Sequence, residues 1–348
     1  MKKRTTEEAA GLDLGDRFSQ LCIFHAPTGT FVEERRVRTH PETMRSFFSQ
    51  LPPMRIALEA GTHSPWVSRM LEELGHEVFV ANPRKLRLIF KNPTKCDKVD
   101  ARYLARVAAL DPGLLAPIQH RGARAQADLA SLKSRDMLVR TRTQLINHVR
   151  GLVKSHGERL PSCSTPAFAD KVASKLPEPL RGSLEPVLEV LRSVNDQIRQ
   201  LDTRIEELAA TRYPDSAALH QVPGIGPMTA LAYMLTMESP QRLPNSRAAG
   251  AFFGLVPKRK ASGARDPQLR ITKQGDPYVR RLLVGSAHYL LGPFGPDCDL
   301  RRYGERIAER GGANAKKRAV VAVARKLAVV LHHLWHTGES YRHFSAAA

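Results

Sequence analysis

Ala10-Gly11-Leu12-Asp13-Leu14-Gly15 and, further along, Arg55-Ile56-Ala57-Leu58-Glu59-Ala60-Gly61 are the stretches on which the reading of this chain turns. Each is a short apolar run with the pattern of a buried strand, each carries one carboxylate, and each breaks at a glycine. An acid inside such a run is expensive to bury without a partner charge, so Asp13 and Glu59 call for one. Working outward, Gln20–His25 and Phe31–Arg38 flank the Pro27-Thr28-Gly29 turn as a hairpin, and Pro41–Leu51 has helical spacing. Pro65–Leu74 reads as an amphipathic helix stopped by Gly75, and Glu77–Ala81 as a strand closed by Asn82-Pro83.

A three-stranded meander followed by helix, strand, helix, strand and helix is the element order of an α/β ribonuclease-H-like domain, expected here over residues 1–123. In such a sheet the first and fourth strands are neighbours, so Asp13 and Glu59 would converge. Asp97 and Asp100, three apart, share one face of the helix that follows. Several converging carboxylates are costly unless cations neutralise them, and hard oxygen ligands suit Mg²⁺ or Mn²⁺. Two such ions clamp the attacking and leaving oxygens in phosphoryl transfer. Taken singly, Asp13 also reads as a turn residue, Glu59 as a satisfied strand end and Asp97 as a helix cap.

Charge points the same way. The 348 residues include 54 Lys and Arg against 34 Asp and Glu, a formal charge of +20, with a hydrophobic fraction of 42% that belongs to a folded body and not a disordered one. Residues 1–120, 121–250 and 251–348 carry net +4, +5 and +11, which puts the strongest phosphate contacts in the last segment. Cys22, Cys96, Cys163 and Cys298 form no CxxC pair, against a zinc ribbon or a disulfide framework and in favour of a reducing, cytoplasmic setting. The N-terminal residues lack an apolar core, and the longest apolar runs are split by Arg325 and Lys326, so neither secretion nor membrane spanning is expected.

Residues 124–212 read as a helical coiled-coil segment. Leu132, Val139, Ile146 and Val153 recur every seven residues, and Leu184, Val187, Leu191, Val194, Ile198, Leu201, Ile205 and Leu208 step by threes and fours without a break. The seam fits either an intramolecular helical hairpin or a homo-oligomer interface, dimer or tetramer, and a seven-residue repeat longer than one short hairpin requires favours the oligomer. Arg135, Arg140, Arg142 and Arg150 offer a basic helix face for a polyanionic partner, or simply a solvated one. Residues 213–348 read as a mostly α domain. In Val222-Pro223-Gly224-Ile225-Gly226, ahead of an apolar helix over 228–237, Gly224 and Gly226 resemble a helix-hairpin-helix turn whose backbone N–H groups approach a phosphate; the bland alternative is helix capping. Lys316, Lys317 and Arg318 head the last helix as further phosphate contacts, and His332 and His336 have zinc-ligand spacing without the Glu of HExxH.

Together with Asn82-Pro83 and the run Thr94 to Ala105, the two acid motifs resemble the RuvC-like domain of the DEDD transposases of bacterial insertion sequences, the insertion-sequence-one-ten family. The second half agrees in order and spacing: Val222–Pro227, Ala251-Phe252-Phe253-Gly254-Leu255-Val256-Pro257, Ser262-Gly263, and Ile271–Asp276 with Arg280-Arg281 resemble that family's C-terminal transposase domain. The resemblance implies a site-specific DNA recombinase with a composite active site, in which Asp13, Glu59, Asp97 and Asp100 bind divalent metal. Ser262 matches the serine that attacks the DNA phosphate and forms a covalent phosphoserine link. It would sit on a basic loop with Lys258, Arg259, Lys260 and Arg265, and Lys273, Arg280 and Arg281 would add DNA contacts. Where relatives continue Ser-Gly with another glycine, this chain has Ala264-Arg265-Asp266-Pro267. The resemblance also implies a structured noncoding guide RNA, a bridge RNA pairing with donor and target DNA. Two rivals are a RuvC-like nuclease using water, with Ser262 idle, and a non-catalytic nucleic-acid-binding protein. Tyr103 and Tyr278 are alternative hydroxyl nucleophiles, although Tyr278 reads as packing beside Arg280 and Arg281.

Overall fold

The computed structural model of the chain describes residues 7–85, 96–262, 267 and 269–344. They form two compact units that meet in sequence between Ala123 and Arg124. The N-terminal unit is a five-stranded mixed sheet with helices. Its strands are β1 (Glu8–Asp13), β2 (Phe18–His25), β3 (Thr30–Arg38), β4 (Arg55–Glu59) and β5 (Glu77–Ala81), and its helices are α1 (Pro41–Phe48), α2 (Ser64–Glu73) and α3 (Asp97–Leu110). The order across the sheet is β3-β2-β1-β4-β5. β1 pairs antiparallel with β2 and parallel with β4, so the first and fourth strands are neighbours, consistent with a ribonuclease-H-like domain.

The two faces of β1 separate by residue size. Ala10 and Leu12 join Leu21, Ile23, Ile56, Leu58 and Val80 in a core closed by Met44 and Phe48 of α1 and Val67 and Leu71 of α2. The opposite face is built from Ala9, Ala57 and Ala81 against Leu104 and Ala108 of α3. Small side chains there let α3 sit close to the sheet, and Gly11 is the extreme case. A Cβ at Gly11 would lie 2.0 Å from the Ala101 carbonyl oxygen and 2.4 Å from the Ala105 nitrogen, so only glycine admits the helix at this distance.

The second unit is helical. It comprises α4 (Ala123–Ser155), α5 (Phe168–Ala173), α6 (Glu178–Arg212), α7 (Ser216–Leu219), α8 (Pro227–Met237), α9 (Ala248–Phe252), α10 (Pro277–Leu290), α11 (Asp299–Glu309) and α12 (Ala315–Thr337). α4 and α6 run antiparallel, and the seam read from the sequence is closed inside the chain. Leu184, Leu188 and Leu191 of α6 pack with Ile146, Val149 and Val153 of α4 and with Phe168 and Val172 of α5. Ile205 and Leu208 pack with Leu129 and Leu132 and with the α8 core. The intramolecular hairpin of the two readings is present within the chain: Leu184, Leu191, Val194, Ile198, Ile205 and Leu208 are buried, while Val187 and Leu201 are half-buried.

A polar ladder sets the register of that hairpin. Arg212 and Tyr213 both donate to Asp128, the guanidinium of Arg135 donates to Asp202 at 2.6 Å, and Arg142 donates to Asn195 at 3.1 Å. The helices therefore pair Asp128, Arg135 and Arg142 with Arg212, Asp202 and Asn195 in reverse order. At the centre of the unit, α8 is buried from Thr229 to Met237, and the Tyr233 hydroxyl donates to the Ala328 carbonyl of α12 at 2.7 Å. Among the described residues no helix is long and apolar enough to cross a membrane.

Candidate functional site

In the N-terminal unit the acids gather at one end of the sheet face that α3 covers. Leu12 is in register with Leu58, so Asp13 and Glu59, the next residues of two parallel strands, lie side by side on the same face. Neighbouring strands are about 4.8 Å apart, so these two carboxylates come from adjacent backbone positions. The helix crosses one row below, where the Ala101 carbonyl lies over Gly11. Asp100 precedes Ala101 and is 4% exposed, whereas Asp97, in the first turn of α3, is exposed. The backbone N–H of Asp100 donates to the Cys96 carbonyl, which starts the helix at this point. Among the described residues no group of three or more His, Cys, Asp or Glu side chains forms a ready metal cage. A Mg²⁺ ion needs less: it keeps several waters and is held by one or two carboxylates plus substrate phosphate oxygens. The adjacent Asp13 and Glu59, with Asp100 on the helix above, fit that requirement.

Sequence reasoning did not single out Glu34, which sits in the charged run Glu33-Glu34-Arg35-Arg36 of edge strand β3. Its carboxylate accepts from both Lys98 and Arg102 of α3. Those two donors, Arg102 first, hold its carboxyl below the usual carboxylate range. Beside it, Cys22 is buried, and burial more than the neighbouring Glu34 pushes its thiol up to about 11. This thiol stays protonated at neutral pH and is no nucleophile. At the other edge of the site Ser64, fully buried, shares a 2.8 Å hydrogen bond with His120 Nε2 and donates to the Gly61 carbonyl, which fixes the turn after Glu59. The signal was available in Gly61-Thr62-His63-Ser64, a Ser three residues after a strand-ending glycine.

In the second unit Ser262 lies four residues past a short antiparallel pairing, on the arm that leads away from it. Lys258 N–H donates to Arg270 O, Thr272 N–H to Val256 O and Lys273 N–H to Gly254 O, so the stretches 254–258 and 270–273 run antiparallel. Gly254, at φ +68°, is needed at the base, because a Cβ there would lie 2.0 Å from the Gln274 carbonyl. Lys258, Arg259, Lys260 and Ser262 are exposed along the arm. Arg280 braces the base by donating to the Phe253 and Gln274 carbonyls at 3.1 and 2.9 Å. Lys273 is exposed at the same base, while Arg265 and Gly263 lie outside the described residues.

The other candidates fall into two groups. Lys316, Lys317 and Arg318 are exposed at the start of α12, with Arg318 donating to the Gly311 carbonyl, and Gly226 is exposed at the start of α8. Gly224 is instead packed against α10: a Cβ there would touch Ser286 O and the Tyr289 ring at 3.1 Å, so this side of the turn meets protein. Arg281 lies over the Tyr278 ring and donates to Asp136. Burial raises Asp136, but hydrogen bonds from Arg281 and Arg140 outweigh it and leave the carboxyl below its ordinary value.

The arginines singled out on α4 do not form one free basic face. Arg135 and Arg142 belong to the hairpin ladder, Arg140 pairs with Asp136, and Arg150 donates to the Pro161 carbonyl at 3.2 Å while lying over the Phe168 ring. Tyr278 is 7% exposed, and burial pushes its hydroxyl up to about 12, which fits a core residue. His332 is a structural histidine: Nδ1 meets Ser246 Oγ at 3.0 Å and Nε2 meets the Pro240 carbonyl at 2.9 Å, leaving no nitrogen for a metal.

Comparison with known proteins covers both units. A family model described as "Transposase IS116/IS110/IS902 family" matches residues 216–296, and the model for the DEDD transposases of the IS110 group, described as "Transposase", matches residues 10–157. A Pseudomonas aeruginosa protein named "Probable family 20 transposase" is 31% identical over 309 residues, covering 86% of this chain and 89% of that one. The Coxiella burnetii "Transposase for insertion sequence element IS1111A" is 28% identical over 340 residues, covering 95% of this chain and 90% of its own.

Proposed function

Because the chain belongs to the IS110 family of insertion-sequence transposases, and so is an enzyme that acts on DNA, we propose that it breaks and rejoins strands with Ser262 as nucleophile. The observation that carries this reading is the exposed serine on the triply cationic arm that leads from a braced pairing. The Ser262 oxygen attacks the phosphorus of a DNA phosphodiester, the P–O bond to the departing strand breaks, and the serine proton ends on the departing strand's oxygen, leaving a phosphoserine ester and a free strand hydroxyl. Lys258, Arg259 and Lys260 neutralise the phosphate as charge builds on it. Rejoining reverses the step with a different strand end.

In the N-terminal unit Asp13, Glu59 and Asp100 would hold Mg²⁺ or Mn²⁺, with Asp97 at the open end of the same helix. Bound there, the ion supplies Lewis-acid stabilisation of phosphoryl oxygens. The residues themselves present carboxylate oxygens to the ion at one end of the sheet, Asp13 and Glu59 from adjacent strands and Asp100 from α3. Lys273, Lys316, Lys317, Arg318 and the exposed Gly226 backbone contribute phosphate contacts that position the duplex without reading its sequence. A structured guide RNA from the element completes the reading on the strength of the resemblance. Of the four arginines of α4 read as a basic face, Arg140 stays exposed beside Asp136 and is the one best placed to meet that RNA.

The test is a denaturing gel of the protein incubated with labelled DNA carrying the element's ends and Mg²⁺. A covalent band is expected with the native chain and lost in Ser262→Ala, which keeps binding DNA. A band that persists in Ser262→Ala removes the serine as nucleophile, and cleavage without any band in the native chain favours water as the attacking group. For the RNA, protein purified from cells carrying the whole element and washed at rising salt should retain one structured species; recovery of bulk RNA alone removes the guide.

A further inference from the structure

The helix that carries Asp97 and Asp100 has two chemically different flanks. Lys98, Arg102 and Arg106 recur every four residues on one flank, while Asp100 lies on the other, with Ala101, Leu104 and Ala105 between them against the sheet. A helix pinned by small residues alone can still roll about its axis, and a roll would carry Asp100 away from Glu59. The cationic flank is where the sheet takes hold. Glu34 accepts from Lys98 and Arg102, the Arg102 guanidinium lies 5.0 Å from the Phe31 ring centroid, and Arg106 lies over both Phe31 and Phe24.

The sheet register makes this hold directional. Glu34, Cys22, Gly11 and Ala57 form one row across β3, β2, β1 and β4. α3 crosses that row over Gly11, and the Cys22 thiol contacts the Lys98 carbonyl at 3.8 Å. With the cations drawn toward β3, the opposite flank is turned toward β4, which ends in Glu59. We propose that Glu34 is a positioning residue of the acid site: by clamping Lys98 and Arg102 it sets the rotation of α3, aims Asp100 at the Asp13 and Glu59 pair, and holds two cations off that pair. The inference rests on the reading of those acids as a divalent-metal site.

Removing the clamp leaves the α3 core contacts in place, so the fold survives while the site loosens. Groups that orient metal ligands typically change metal affinity by about 10- to 100-fold when altered. The experiment is a Mn²⁺ titration of the full chain followed by the electron-paramagnetic-resonance signal of free Mn²⁺, with hydrogen exchange of the Val99 and Asp100 amides as a second readout. Glu34→Gln is expected to weaken Mn²⁺ binding about tenfold and to speed exchange in the first turn of α3, with an unchanged unfolding midpoint; Glu34→Asp, which keeps the charge, recovers most of the affinity. Arg102→Gln removes the same ion pair from the helix side and should weaken binding in the same direction, which keeps the test valid if Glu34→Gln fails to fold. Native Mn²⁺ affinity in both Glu34→Gln and Arg102→Gln overturns the clamp. Asp13→Asn is run alongside: if it too binds Mn²⁺ as the native chain does, the metal-site reading itself falls; if it loses Mn²⁺ while the clamp variants do not, only the role of Glu34 falls.

Discussion

Gly11→Ala should be one of the most damaging single-methyl additions in the N-terminal unit. The new Cβ would sit 2.0 Å from Ala101 O and 2.4 Å from Ala105 N, where ordinary contact begins near 3.4 Å. The shortfall of about 1.4 Å falls on helix backbone that cannot swing aside as a side chain would, so α3 has to lift or slide. Overpacking of this kind costs about 1–3 kcal/mol, which in a protein of this size lowers the unfolding midpoint by roughly 2–4 °C per kcal/mol. The functional effect is larger, because Asp100 moves with Ala101, and a misplacement of about 1 Å in a reacting array can cost on the order of 100-fold in rate. Gly61→Ala is the control: it lies just past Glu59, its φ is ordinary and a Cβ there meets nothing within 4 Å. Circular dichroism, thermal unfolding and cleavage of end-labelled DNA would be measured for both. Gly11→Ala with native cleavage and native midpoint would refute the close approach of α3 and, with it, the placement of Asp100 at the site.

Asp13→Asn and Glu59→Gln keep shape and remove charge, so strand cleavage should fall by at least about 100-fold with the unfolding midpoint held or raised; activity that survives both the substitutions and a chelator counts against the acids. Val194→Asp places a carboxylate at a position 8% exposed inside the α4–α6 hairpin, so the chain should lose several kcal/mol of stability, whereas a seam between copies would instead lower the mass in solution with the fold intact. Stability should also fall as pH drops below about 6.5, the ordinary value of a histidine, because burial lowers the folded pKa of His76, His220 and His332. The unfolded chain then takes up protons first, so the contribution is present above the unfolded pKa and lost as pH falls toward the folded one. In His76, Nδ1 accepts from the Met54 N–H and Nε2 donates to Phe48 O, so protonation breaks a bond; urea midpoints at pH 7 and 5 should differ less in His76→Gln, and an equal difference would dismiss that residue.

Much of the N-terminal unit was legible in the chain because its information is local. Short apolar runs ending in glycine mark β1 and β4, and an acid inside each calls for a partner charge, so Asp13 and Glu59 stand out in the sequence itself. The Lys258-Arg259-Lys260 run ahead of Ser262 is equally local, as is the capping of α10 by Asp276, whose side chain accepts from the Tyr278 and Val279 N–H groups. What the sequence left open was every question of which charge meets which. The run of threes and fours from Leu184 to Leu208 specifies an apolar stripe and says nothing about what covers it; tertiary structure decided for α4, because Asp128, Arg135 and Arg142 find Arg212, Asp202 and Asn195 only in the antiparallel register. The same pairing withdrew Arg135 and Arg142 from the surface that their composition suggested. Nothing in the sequence set Glu34 apart from the charges beside it; the register puts it in one row with Gly11, under a helix more than sixty residues later in the chain. Backbone periodicity is written within a few residues of sequence, whereas the partner of a charge depends on a register and a crossing that only the folded chain brings together.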